Sequence, residues 1–230
     1  MTYTAPLRDM QFVIHELAAY DRVAALPGNE EFTPDLVDAV LDEAAKLAAN
    51  VLAPLNRTGD TQGARWADRT VSTAPGWKQA YQQFVEGGWS ALGSDPEYGG
   101  QGMPKVVSAA VSEMWKSANM AFALCPMLTV GASEAIELSG SDAVKQTYLP
   151  NMVSGKWTGT MNLTEPQAGS DLAAVRTRAE PQADGSYRLF GQKIFITYGE
   201  HDLTENIIHL VLARLPDAPP GVKGISLFVV

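Results

Sequence analysis

Along the first two thirds of the chain, up to about Trp157, apolar positions recur every three or four residues, the repeat of α-helices that bury one face. The clearest case opens at Thr33-Pro34-Asp35. Threonine can cap a helix N-terminus there, and proline takes the first turn, where no N–H is needed. Leu36, Val40, Leu41, Ala44, Leu47, Ala48, Val51 and Leu52 follow at helical spacing, with Pro54 behind them as a stop. This predicts one long amphipathic helix. Shorter stretches of the same kind cover Asp9 to Tyr20, Pro75 to Glu86, Pro104 to Ser117 and Asp142 to Met152, separated by turn-rich segments at Asn56 to Gly63 and Ser94 to Pro104.

From about Gly159 the pattern shortens to β-type runs between turns. Asp184-Gly185 suits a tight turn ahead of Tyr187-Arg188-Leu189-Phe190; Lys193 to Tyr198, Ile207 to Ala213 and Gly224 to Val230 are further strand-like runs. The expected class is α+β, with helices over residues 1–158 and a compact β domain over 159–230. The final apolar run reads as a strand cut in progress, so the β domain is expected to be truncated at its C-terminal end.

Composition narrows the function. The 230 residues are 46% hydrophobic, enough for a sizeable core, and the formal net charge of −9 disfavours the broad basic surface that nucleic-acid binding needs. An anionic ligand is still open to it, since a few well-placed N–H groups act locally. The single Cys125 excludes an intrachain disulfide and a multi-cysteine metal site, which fits a reducing compartment. His15, His201 and His209 match no metal-ligand spacing, so no metal is expected. The N-terminus carries charges where an export signal needs an apolar run of about 7–15 residues. Met120 to Ile136, the most apolar stretch, is interrupted by Pro126 and Glu134 and falls short of the roughly 20 residues of a membrane span. It reads as a buried helix or helix pair in a soluble, cytoplasmic protein.

Four features invite a chemical reading. Gly99, Gly100 and Gly102 resemble a phosphate loop, but no strand precedes them and no Gly-Lys-Ser/Thr follows, so a structural turn is favoured. Cys125, in an apolar stretch with no histidine close in sequence, reads as packing. Met161-Asn162-Leu163-Thr164-Glu165-Pro166-Gln167-Ala168-Gly169-Ser170-Asp171 reads as a strand end followed by a polar turn. Pro166 fixes the backbone, Gly169 permits close approach, and Thr164 and Ser170 offer hydroxyls. In Gly191 to Gly199, Phe195 and Thr197 share one side if the segment is a strand, and an aromatic face with a hydroxyl could contact a planar ring. Taken singly, a plain turn and core packing explain these last two.

Together and in order, the segments resemble the acyl-CoA dehydrogenase family. Thr164-Glu165-Pro166-Gln167-Ala168-Gly169-Ser170-Asp171 is similar to its first signature, Gly191-Gln192-Lys193-Ile194-Phe195-Ile196-Thr197 to its second flavin-contacting strand, and Pro96 to Gly102 to a loop of its helical domain. The opening Ala5-Pro6-Leu7-Arg8-Asp9-Met10-Gln11-Phe12 and the run Lys193 to Asp202 resemble a longer bacterial branch that includes methylmercaptopropionyl-CoA dehydrogenases. The resemblance implies an N-terminal helical domain, then a small antiparallel β-barrel-like domain, with the family's C-terminal helical bundle absent. It implies FAD as cofactor, an acyl-CoA substrate, an electron-transfer flavoprotein as acceptor and a homo-oligomer when full length.

By the same resemblance, Met161, Leu163 and Thr164 line the isoalloxazine edge, with Thr164 donating near the pyrimidine carbonyl. Gly169 and Ser170 approach the pyrophosphate, and Ser170 also touches the CoA pantetheine. Phe195, where many relatives carry tryptophan, flanks the ring without an indole donor, and Thr197 hydrogen-bonds near N5. Family chemistry removes the substrate α-proton with a carboxylate while the β-hydrogen leaves as hydride, and donors at the flavin edge tune that acceptance. The base belongs to the absent bundle, so no catalytic residue is expected here, and Glu165 is read as structural. An acyl-CoA oxidase of the same architecture and a non-catalytic assembly module are the alternatives.

Overall fold

The computed structural model describes residues 3–230. Seven α-helices precede the main sheet: α1 (Leu7–Phe12), α2 (Tyr20–Ala24), α3 (Pro34–Leu47), α4 (Ala53–Gln62), α5 (Trp77–Glu86), α6 (Lys105–Ser139) and α7 (Asp142–Val153). A hairpin that the hydrophobic pattern did not announce, β1 (Arg65–Ala67) with β2 (Thr70–Ser72), lies between α4 and α5. Its strands are too short and exposed to show a period. Then come β3 (Trp157–Asn162), β4 (Arg178–Pro181), β5 (Tyr187–Phe190), β6 (Asn206–Ala213) and β7 (Ser226–Val229).

Thr33 caps α3 as its sequence predicts, accepting from Leu36 N–H at 3.3 Å, and Val37, Leu41, Ala44 and Leu47 are buried along one stripe. Pro54 does not stop the helical path. A wide π turn at Ala48–Leu52 absorbs the register change, and Pro54 then sits in the first turn of α4, where its missing N–H costs nothing. Asn56 to Gln62 is therefore helix rather than turn. Gly59 serves contact there: a Cβ on it would come within 2.3 Å of the Trp77 ring.

Helix α6 is two helices joined at a break. Asn119 has φ −157° and ψ 87°, its Oδ1 accepts from Phe122 N–H at 3.1 Å, and its Nδ2 donates to Leu52 C=O at 3.1 Å. One buried side chain thus caps the second limb and ties it to the π turn. By length and composition α6 could cross a membrane. In this fold its limbs instead bury Val111, Met114 and Phe122 among α3, α4 and α5, and Ala132 and Ile136 against β3.

The sheet order is β3-β6-β7, with β6 and β7 antiparallel. β3 and β6 run parallel, Thr160 opposite His209, which departs from the expected all-antiparallel arrangement within the α+β class. Parallel neighbours need a long crossover, and the connection through β4 and β5 supplies it. The antiparallel β4-β5 hairpin joins the end of β6 through Arg214 N–H to Thr177 C=O and Ala179 N–H to Arg214 C=O, both 2.8 Å.

Candidate functional site

β3 delivers Met161 and Asn162 to its C-terminal end, and Leu163 and Thr164 continue it into a tight turn. Glu165 and Ala168 close that turn with reciprocal backbone bonds of 2.9 and 3.0 Å around Pro166-Gln167. The Glu165 side chain folds inward and is 4% exposed. It accepts from Lys193 Nζ at 2.8 Å, Thr177 Oγ1 at 2.5 Å, Thr177 N–H at 3.0 Å, Arg176 N–H at 2.8 Å and Gln167 Nε2 at 2.6 Å. Burial raises its pKa more than any single partner lowers it. The donors of Lys193, Thr177 and Arg176 together outweigh burial and hold the carboxyl at about 2. At neutral pH Glu165 is a charged keystone enclosed by its donors rather than a proton acceptor.

Lys193 links the two sequence motifs. Its ammonium also donates to Leu163 C=O at 3.0 Å, and the next residue, Ile194, donates its N–H to Thr164 C=O at 3.0 Å. The 191–199 segment thereby lies against the 161–171 turn. It is not the strand the sequence suggested: no residue from Gly191 to Gly199 is in a ladder, and Phe195 has φ +56°. The same-face argument for Phe195 and Thr197 therefore fails, because a left-handed residue breaks the two-residue alternation. Both are nonetheless exposed, Phe195 at 89%.

The seven candidate residues divide by burial. Met161, Leu163 and Thr164 are half-buried, while Gly169, Ser170 and Thr197 are exposed with Phe195. Among the described residues no hydrogen bond engages the hydroxyls of Thr164, Ser170 or Thr197. A Cβ on Gly169 would meet nothing within 4 Å, so no packing within the chain requires glycine there. A left-handed aromatic costs roughly 1–2 kcal/mol, and Phe195 recovers little of it by burial. An open glycine, uncommitted hydroxyls and an exposed ring fit a flat ligand with polar edges and an anionic tail.

The alternate face of β3 is committed internally. Leu203 N–H donates to His201 Nδ1 at 3.1 Å, so the ring proton of the neutral imidazole sits on Nε2, 2.9 Å from Thr158 Oγ1. Thr160 Oγ1 is 2.7 Å from His209 Nδ1 and donates to Asn162 Oδ1 at 2.6 Å. Burial pushes both histidines down, His201 to about 4, so the hydroxyls of Thr158 and Thr160 pair with neutral rings. Gly99, at φ +90°, and Gly100, whose Cβ would lie 2.0 Å from Ser94 O, are turn residues, and Cys125 is buried with its thiol pushed up to about 12.

Sequence reasoning missed Arg214. Its guanidinium donates to Val175 C=O at 2.7 Å, Ala173 C=O at 2.7 Å and Gly221 C=O at 2.8 Å, buttressing the turn after Asp171. A lone arginine closing the apolar run of β6 was its only signal. Tyr198 and Asp202 were missed as well. Tyr198 O–H donates to Ala121 C=O at 2.7 Å and accepts from Trp77 Nε1 at 3.0 Å; Asp202 accepts from Thr73 Oγ1 at 2.7 Å and Lys78 Nζ at 3.0 Å. These contacts fasten the second motif to the helices.

The acyl-CoA dehydrogenase N-terminal domain matches residues 35–156, and the middle domain of the same family matches residues 160–230. A 3-methylmercaptopropionyl-CoA dehydrogenase of Ruegeria pomeroyi is 54% identical over 230 residues, which cover 100% of this chain and 39% of that protein. Among solved structures, butyryl-CoA dehydrogenase of Megasphaera elsdenii superposes with a TM-score of 0.71 at 27% identity, over 85% of this chain and 48% of that one. An acyl-CoA dehydrogenase of Bacillus anthracis solved with FAD gives 0.67 at 27% identity, over 87% and 31%. The chain spans roughly two fifths of the length of these curated relatives. With both halves matched in order, and the two motifs meeting at one turn, the chain belongs to the acyl-CoA dehydrogenase family and carries its N-terminal and middle domains.

Proposed function

We propose that the chain supplies the helical and flavin-cradling parts of an FAD-dependent acyl-CoA dehydrogenase that introduces an α,β double bond into an acyl-CoA thioester. The observation that carries this reading is the bond from Ile194 N–H to Thr164 C=O, which joins the segment bearing the exposed Phe195 to the turn that follows Thr164. FAD, when bound, supplies the two-electron acceptor. Met161, Leu163 and Phe195 would hold its ring system, Thr164 and Thr197 would donate to its polar edge, and Gly169 and Ser170 would meet its phosphates. Ser170 would also touch the pantetheine chain of the CoA. These residues bind and orient; Glu165 moves no proton, being charged and enclosed.

A short thioether acyl-CoA of the kind named for the Ruegeria pomeroyi relative is the first substrate to offer. Electron-transfer flavoprotein as acceptor, a homo-oligomeric full-length protein and a cytoplasmic location complete the reading. The test is anaerobic addition of 3-(methylthio)propionyl-CoA to the full-length, flavin-loaded protein. The flavin's visible absorption bleaches and the 2-enoyl thioester appears. An unchanged spectrum with that substrate and with butyryl-CoA overturns the proposal, and rapid reoxidation by oxygen would point to an acyl-CoA oxidase.

A further inference from the structure

Directly opposed residues of an antiparallel pair share a face, and the β4-β5 register sets Arg178 against Phe190 and Glu180 against Arg188. Ala179, opposite Leu189, is buried and marks the inner face. A Cβ on Gly191 would lie 2.2 Å from Thr177 Oγ1, so the two chains stay together one residue beyond the ladder. Arg176 therefore continues the outer face, two residues before Arg178. That face carries three exposed arginines against Glu180, while Asp184 at the hairpin tip is engaged by the N–H and hydroxyl of Ser186.

The arginines are not spent on the chain itself. Among the described residues no hydrogen bond or ion pair engages the guanidinium of Arg176 or Arg188. Arg178 Nε donates to Glu180 at 2.8 Å, and its guanidinium carbon lies 4.7 Å from the centre of the Phe190 ring. With its side chain 60% exposed, Arg178 is a flat plate held by Phe190 and able to stack on a second ring. Arg176 to Arg178 along the strand, and Arg178 to Arg188 on the diagonal, are each about 7 Å apart at the backbone. Guanidinium forks at that spacing match phosphate oxygens. Three arginines on a chain of net charge −9 suit a compact polyanion, whereas a nucleic acid or an anionic membrane would also meet the acidic remainder.

This face is fixed relative to the candidate site. Arg176 N–H donates to Glu165 at 2.8 Å, in the turn that leads to Gly169 and Ser170. On either side of Arg176, Arg214 ties down Val175 C=O through Nε and Thr177 C=O through its own N–H. We propose that the outer face of the hairpin reads the phosphorylated nucleotide end of coenzyme A, Arg176 and Arg188 taking phosphates and Arg178 stacking on the adenine. It thereby selects free CoA thioesters over pantetheine thioesters that lack the nucleotide. The inference rests on the dehydrogenase reading for the thioester and adds the choice of handle.

The test uses full-length, flavin-loaded protein and its Arg176→Gln/Arg188→Gln variant. The probes are 3-(methylthio)propionyl thioesters of CoA, 3′-dephospho-CoA and pantetheine, with adenosine 3′,5′-bisphosphate as a ligand that cannot turn over. The variant raises KM for the CoA thioester roughly 5- to 30-fold, as two solvent-screened contacts to charged oxygens do, with kcat within about twofold. Its KM for the pantetheine thioester stays unchanged, and the dephospho-CoA thioester falls between. Calorimetric titration shows the bisphosphate binding the parent protein and binding the variant at least about fivefold more weakly. An equal rise for all three thioesters, no rise at all, or equal bisphosphate binding overturns the proposal. Loss of flavin from the variant on desalting also overturns it, by assigning the arginines to the FAD diphosphate. If no thioester bleaches the parent protein's flavin, the dehydrogenase reading falls, and the bisphosphate titration still decides whether the arginine face takes the nucleotide.

Discussion

At the scale of single residues, Glu165 and Phe195 show opposite relations to the chain around them. Glu165 is satisfied entirely from within, by donors that arrive from Lys193, Thr177 and Arg176. Its identity was legible in the signature, but its role was not, because those donors are set by the tertiary path. Its folded pKa of about 2 lies below the ordinary 4.5, so its stabilisation is complete above pH 4.5 and is lost as pH falls from there through 2. That shift corresponds to roughly 3 kcal/mol. Urea unfolding across this window should show the loss, and Glu165→Gln should remove most of the slope while costing about 3–5 kcal/mol at neutral pH, since Lys193, its side chain 10% exposed, is left without a counter-charge. An unaltered slope in the variant would assign the acid sensitivity to other carboxylates. Phe195 is instead strained and exposed. Asparagine accepts left-handed φ readily, so Phe195→Asn should keep or raise stability by up to about 1 kcal/mol while weakening flavin retention on desalting. A loss of stability above that size would mean that the ring packs within the chain.

At the scale of elements, the helices were legible wherever one face repeats, as in α3 with its Thr33 cap, because helix periodicity and capping are local properties. Pro54 misled because a π turn changes the register ahead of it, and nothing in the residues of Ala48–Leu52 announces that widening. The 193–198 run misled for the reverse reason: its apolar spacing is strand-like, but Ile194 N–H bonds to Thr164 C=O and Ile196 C=O accepts from Gly199 N–H, and neither belongs to a ladder. Gly159 was read only as the start of the β pattern, yet it sets how closely α6 and α7 approach β3. A Cβ there would lie 2.7 Å from both Ala132 Cβ and Met152 Cε. Gly159→Ala should cost about 1–3 kcal/mol in denaturant unfolding, as overpacking does. A cost below about 0.5 kcal/mol would show that α7 yields easily and that the helix–strand contact does not fix the position of Met161.

At the scale of the molecule, the segment proposed to face a flavin is tied to the helices, and the sequence showed the two motifs but not their fastening. Tyr198 is the clearest fastener, since its hydroxyl joins Trp77 of α5 to Ala121 of α6 while its own residue belongs to the second motif. Burial pushes its pKa up to about 12, the Trp77 donor pulling against that, so it stays a neutral donor at any physiological pH. Removing the hydroxyl leaves the Trp77 N–H without its acceptor and takes a donor from the Ala121 carbonyl, a loss of roughly 1–3 kcal/mol. Because Asp202 still engages Thr73 and Lys78, the segment should loosen without the helices unfolding. Tyr198→Phe should therefore speed amide exchange at residues 191–199 and weaken flavin retention, with exchange in the second limb of α6 unchanged. Equal acceleration in both places would mean that Tyr198 supports the helical core itself, and that the two motifs keep their register through Lys193 and Ile194 alone.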